Sequence, residues 1–270
     1  MDLDGTPLAA ISTLWLRAGK LFTEQDASVE RDSDAQRDHD SAAVRPESPP
    51  WIVTGKIMSA YDGARAAAVL WKEGEVHVIA DYALLRVVVE NAALAWWVLQ
   101  GTDREDRMQR AFRVVVDDLA WAIKRERFAV ANARTPEGRQ KRAEALAGAT
   151  RELERVTRAF RASLPGREDA FYTPGRIEMA KVLVAAESTI PDTGDLDYSL
   201  LWWIASTSAH GSLSAVQQLA QPGNDGEASL YPDAESVGAF ATRAAHLLHA
   251  AHTSWNTYRK HPGRAEGSSA

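Results

Sequence analysis

From Trp51 to Lys260 the large apolar residues of this chain recur at steps of three and four, and no stretch sustains the apolar–polar alternation of a half-buried strand. That period restricts the chain to packed helices. The expected fold is all-α, an antiparallel bundle of five to seven helices with a flexible N-terminal extension. Helix-terminating and helix-opening residues fall at the right places. Gly74 ends a helix over Ile52–Glu73, and Gly101 ends one over Val76–Gln100. Thr102-Asp103-Arg104-Glu105 reads as a capping box that opens a third helix, running to about Ala133. Thr135-Pro136 supplies a cap followed by proline in the first turn of a fourth helix, which ends near Pro165-Gly166. Arg176–Ala186, Leu196–Ala220 and Asp233–Lys260 complete the series. Links this short make successive helices antiparallel neighbours.

The first 50 residues read differently. Leu8, Ile11, Trp15, Ala18 and Phe22 mark an amphipathic helix over residues 1–22, which offers itself to a protein partner or to a second copy of the chain. Residues 23–50 hold eight acids against three arginines and almost no large apolar group, so they are predicted to be a disordered acidic linker. One helical-bundle domain is expected over 51–262, and a disordered tail over 263–270. The whole chain carries −6, of which the acidic segment supplies −5, so the body is nearly neutral. Residues 102–161 hold fifteen basic and ten acidic groups. We read them as a solvated hairpin laced with ion pairs, and nucleic acid is not an expected partner. The absence of cysteine excludes disulfides, thiolate metal sites and cysteine nucleophiles. No basic leader with an apolar stretch opens the chain, and no membrane-length apolar run is seen. A soluble, cytoplasmic protein is therefore expected.

Two helices carry polar groups in an otherwise apolar mid-span. In Leu84-Leu85-Arg86-Val87-Val88-Val89-Glu90, Arg86 and Glu90 stand one turn apart on a helix that is apolar nearly all round. A charge held in such a place must be paired. In Ser206-Thr207-Ser208-Ala209-His210-Gly211, Ser206 and His210 are likewise one turn apart. Arg86, Glu90, Ser206 and His210 are thus the candidate pocket, with inter-helix space as its setting. His246, His249 and His252 step by three, a spacing less suited to metal capture than i,i+4, and no Glu-x-x-His or His-Glu-x-x-His occurs. Nucleotide-binding glycine loops and the Gly-x-Ser-x-Gly elbow are absent too. No metal and no cofactor are implied.

The helix with Arg86 and Glu90, ending in Trp96-Trp97 and followed by Arg104, Arg107 and Arg110, resembles uncharacterised helical bacterial proteins grouped as domains of unknown function. The Ala-His-Gly of Ser206 to Gly211 adds to that resemblance, which implies a helical fold and no particular activity. A second likeness is to HEPN ribonucleases, which place an arginine and a histidine four to six residues apart on a late helix. Arg243 and His249 have five residues between them, although the polar residue usual after that arginine is Ala244 here. This resemblance implies Arg243 and His249 as a ribonuclease pair.

Three functions remain open at this point. One is a helical module that binds a partner protein or small ligand through the polar pocket. Another is a HEPN-like ribonuclease. The third is a small-molecule enzyme with Glu90 and His210 as acid and base.

Overall fold

The computed structural model describes Trp15 and residues 28–42, 48–72, 77–163, 177–190, 197–209, 221–222, 228–229 and 234–260. Among them the chain is an all-α helical bundle. Eight helices appear in order: α1 (Asp34–Ser41), α2 (Pro49–Lys72), α3 (Val78–Leu99), α4 (Arg104–Ala131), α5 (Pro136–Ser163), α6 (Met179–Thr189), α7 (Tyr198–Ala209) and α8 (Ala234–Arg259). A two-residue antiparallel ladder pairs β1 (Gln221–Pro222) with β2 (Ala228–Ser229). The count exceeds the five to seven expected because α1 lies in the segment predicted to be a linker.

Two compact units divide the chain. One draws on Met1–Ser28, Thr54–Trp97 and Glu178–Thr257, the other on Val29–Val53, Val98–Ile177 and Tyr258–Ala270.

In the first unit α3 is the core helix: Leu85, Val88, Val89, Ala92, Ala93 and Ala95 have no exposed surface. By length and composition alone, Ile79–Leu99 could cross a membrane, but its burial is that of a helix packed inside protein. In α2, Ile57, Ala60, Ala64 and Trp71 are buried too. Gly63 permits the close approach of α2, since a Cβ there would lie 3.1 Å from Val87 Cγ1. From α8, Phe240, Leu247, Ala251 and Trp255 are buried, with Phe240 against Tyr82 at 5.8 Å between ring centroids. The N-terminal helix predicted over 1–22 falls outside the described residues except at Trp15. That side chain is buried, its ring centroid 5.4 Å from that of Trp71. The tail 263–270 also lies outside them.

The second unit is built on the α4–α5 hairpin. Met108 and Phe112 of α4 meet Val156 and Phe160 of α5, and Val115, Leu119 and Ala42 close over them. The four-residue turn between the helices is capped as the sequence predicts: Thr135 Oγ1 accepts the Gly138 N–H at 3.0 Å, with Pro136 next in line. The α4 cap is shifted by one residue from the expected box. Asp103 is the N-cap and accepts from Asp106 N at 2.8 Å, while Asp106 Oδ2 takes Thr102 N at 3.1 Å. Carboxylates suit this place because they accept orphan N–H groups and favour the positive end of the helix.

Residues 23–50 are therefore not a disordered linker throughout. Asp32, at φ 64°, makes the left-handed turn that a short polar residue tolerates. Ser33 then caps α1 by accepting from Gln36 N at 3.1 Å. Asp38, on the inner face of α1, is 1% exposed. Its carboxylate receives Arg107 Nε at 2.7 Å, Arg107 Nη2 at 3.2 Å and the Tyr258 hydroxyl at 2.6 Å. Burial works against the Arg107 cation, but the hydrogen bond and charge of Asp38 hold its pKa above the ordinary value. The Tyr258 phenol is pushed far up, first by burial and then by the Asp38 charge. A charged, fully bonded triad ties α1 to α4 and to the end of α8. Composition alone concealed it.

Candidate functional site

The polar residues predicted on α3 do form a pair. Arg86 Nε donates to Glu90 Oε1 at 2.7 Å, across one helical turn. From α7, Trp202 Nε1 donates to the same oxygen at 2.7 Å. One carboxylate oxygen therefore joins two helices of the first unit. The pair is half-buried rather than buried, with side-chain exposures of 23% for Arg86 and 27% for Glu90. The pairing that the sequence requires is present, and the partial exposure leaves the Glu90 carboxylate reachable. The exposed large apolar side chains of the two helices are Ile79 and Val87 on α3 and Leu200 and Trp203 on α7, the last two turned about 160° and 100° round α7 from Trp202. Val87 is three residues from Glu90, and Leu200 is three residues from Trp203, so each pair shares a helix face.

Ser206 lies one turn beyond Trp202 on α7 and is half-buried. His210 lies outside the described residues, as does the stretch of the predicted Leu196–Ala220 helix beyond Ala209. Arg86, Glu90 and the Trp202 face of α7 are thus brought together. Trp202 is the residue that sequence reading passed over. Its signal was the i,i+4 step to Ser206, which puts an indole donor on the polar side of α7.

The pair implied by the HEPN likeness does not make one solvent-facing site. Arg243 is 6% exposed and its guanidinium stacks over the Tyr198 ring at 4.6 Å, whereas His249 is exposed. Six residues of α8 turn through about 600°, which sets the two side chains on different faces. His246, between them, has a pKa lowered by burial, then by Arg243 and His249. A turn further on, His252 Nδ1 and the Tyr61 hydroxyl hydrogen-bond at 2.6 Å. Among the described residues no group of three His, Asp or Glu side chains is placed to hold a metal ion.

One further carboxylate was missed. Asp81, in the first turn of α3, has no exposed surface. Its Oδ2 accepts the His77 backbone N–H at 2.7 Å, while Oδ1 and the neighbouring Trp71 Nε1 reach no hydrogen-bond geometry with any described partner. Burial raises its pKa, opposed by the His77 bond and charge and by the Trp71 indole. The fold therefore favours the protonated form. Asp81 contributes fully below its unfolded pKa near 3.8, and that contribution is lost as pH rises through the raised folded value. Asp81→Asn cannot ionise, so its stability relative to the parent should improve from pH 4 to pH 7 in urea titrations. A difference that stays flat with pH would show that the carboxylate titrates normally.

The Glu90 bridge has its own expected signature. Because the group is only half-buried, Glu90→Ala should cost about 1–3 kcal/mol, the range for losing hydrogen bonds to a charged group. Trp202→Phe should couple with it by roughly 0.5–3 kcal/mol in a double-mutant cycle, since both changes delete the same bond. Additive losses would mean that the bond is not formed in solution.

No family model, no curated protein and no solved structure matches this chain. The likenesses to uncharacterised bacterial proteins and to HEPN ribonucleases find no support from those comparisons, and the site must be read from its own chemistry.

Proposed function

We propose that the chain is a non-catalytic helical binding module, and that Glu90, oriented by Arg86 and Trp202, is the polar recognition point for a small ligand. The observation that carries this reading is the convergence of Arg86 Nε and Trp202 Nε1 on Glu90 Oε1, each at 2.7 Å, with about a quarter of the carboxylate side chain still open to solvent. A carboxylate fixed from two helices is preorganised to accept hydrogen bonds, and little rotamer freedom remains to be lost on binding. Its partners support recognition over proton transfer, because neither an arginine nor an indole exchanges protons near neutral pH. Val87, exposed and three residues from Glu90 on α3, supplies apolar surface of the kind that lines ligand sites around a few placed polar groups. The ligand class that suits this combination is a small amphipathic molecule with an amine or amidine donor. Localisation in the cytoplasm belongs to the same proposal and rests on the cysteine-free sequence.

Labelling with 5-fluorotryptophan tests the reading. Trp202 and Trp203 are assigned by single Phe substitutions, and a library of small aryl amines and amidines is screened by fluorine NMR. Ligands should move the Trp202 resonance in the parent and lose that effect in Glu90→Gln. No shift across the library, or shifts that persist in Glu90→Gln, would reject Glu90 as the recognition point.

A further inference from the structure

The outward side of α2 carries a pattern that becomes its own complement when reversed. Ile57, Ala60, Ala64 and Ala67 turn one side of the helix into the core of the first unit. On the opposite side Met58, Asp62, Arg65 and Val69 are all exposed, the two apolar ones at 53% and 47%. At about 100° per residue these four lie within roughly 60° of one another around the helix. Trp51 stands on the same line nearer the start of α2, outside the stretch from Met58 to Val69. The charged side chains described on α2 are Lys56, Asp62 and Arg65, and Lys56 is turned about 120° round the helix from Asp62. Among the described residues, no ion pair takes up Asp62 or Arg65. Gly55, one turn before Met58, has open space where a Cβ would stand, so another backbone can come close there.

We propose that this face of α2 joins two copies of the chain as an antiparallel helix pair, about a twofold axis midway between Asp62 and Arg65. The spacing of the charges selects the occupant. Asp62 and Arg65 stand at equal distances either side of that axis, and so do Met58 and Val69. A second copy turned end over end therefore sets Asp62 against the partner's Arg65 and Met58 against the partner's Val69, each twice, as a twofold interface requires. Parallel packing in register would oppose Asp62 to Asp62 and Arg65 to Arg65, and like charges so placed repel. A partner of one sign would satisfy one of the two charges and face its own sign in the other. A lipid surface would take the apolar side chains and bury both charges unpaired. The stretch from Met58 to Val69 is about 16 Å long on a single helix. That is well short of the ~800 Å² per partner of a standard interface, so the association is weak and reversible.

Sedimentation of the full chain between about 10 µM and 1 mM should show a monomer–dimer equilibrium with a Kd of roughly 50–500 µM. Asp62→Arg and Arg65→Asp should each weaken it at least about tenfold, because each sets like charges against one another. Mixing these two variants restores opposite signs at both contacts, and the mixture should associate about as strongly as the parent. Register is read by cross-linking. The chain has no cysteine, so Met58→Cys and Val69→Cys each introduce a single thiol. Under mild oxidation the two variants together should join as a mixed dimer. Neither should join to itself, since like positions lie about 16 Å apart along the pair and a disulfide needs Cα atoms within about 7 Å. All four positions are exposed, so circular dichroism of the variants should match the parent. The proposal is overturned by a chain that stays monomeric at about 1 mM, by a dimer that both charge variants leave unchanged, or by Val69→Cys joining to itself in preference to the mixed pair. Phosphatidylcholine vesicles that bind a chain still monomeric at that concentration would overturn it in favour of a lipid surface.

Discussion

Asp38→Ala is expected to destabilise the second unit by about 3–5 kcal/mol. The carboxylate is 1% exposed and answers three donors, two from Arg107 and one from Tyr258. Removing it leaves the Arg107 guanidinium, itself 12% exposed, as an uncompensated charge. The Tyr258 hydroxyl loses its acceptor in the same step. Most of the loss is the penalty on the groups left behind, so deleting the charge on both sides should be milder. Asp38→Leu combined with Arg107→Met is expected to recover a large part of the stability. Asp38→Asn keeps an acceptor for Tyr258 without the charge and should fall between. Urea unfolding followed by circular dichroism checks the order of the three. Should Asp38→Ala unfold at the same urea concentration as the parent, α1 is not docked and the acidic segment is the linker that its composition suggests.

The contrast between Asp38 and Glu90 explains what the sequence could reveal. Helices α2 to α5 were legible because apolar period, glycine stops and the Thr135-Pro136 cap are all local patterns. The Arg86–Glu90 pair was legible for the same reason, since its partners are four residues apart. Trp202 was not, because it reaches Glu90 from 112 residues away. Asp38 was misread because Arg107 and Tyr258 stand 69 and 220 residues distant, and no window of sequence contains them together. An acid in an acid-rich stretch looks solvated until its partners are known. The hairpin carries the ion pairs that its charge pattern predicts, Arg125 and Arg142 on Glu126 and Arg155 on Glu152. Trp121 falls where periodicity tolerates either face, and only the burial of Ile123 and Glu126 shows that the ring points outward.

Phe112→Ala is expected to cost about 3–5 kcal/mol, the range for truncating a buried ring. Phe112 is 3% exposed and lies against Phe160 with ring centroids 4.2 Å apart. Few other groups can compensate. In α5 the buried residues are Val156 and Phe160, both in this cluster, so the pairing of α5 with α4 rests on its base. Phe112→Leu keeps much of the volume and should lose far less. Val156→Ala removes two methyl groups and should also be milder. Hydrogen exchange separates local from global loss: faster exchange throughout α4 and α5 identifies the cluster as the clasp of the hairpin. Trp121→Ala and Phe128→Ala are the internal comparison. They delete rings of similar size on the exposed face of the same helix, and their stability changes should stay within about 0.5 kcal/mol. If Phe112→Ala proved as harmless as those two, the hairpin would not be held by its aromatic base, and the assignment of an inner and an outer face to α4 would fail with it.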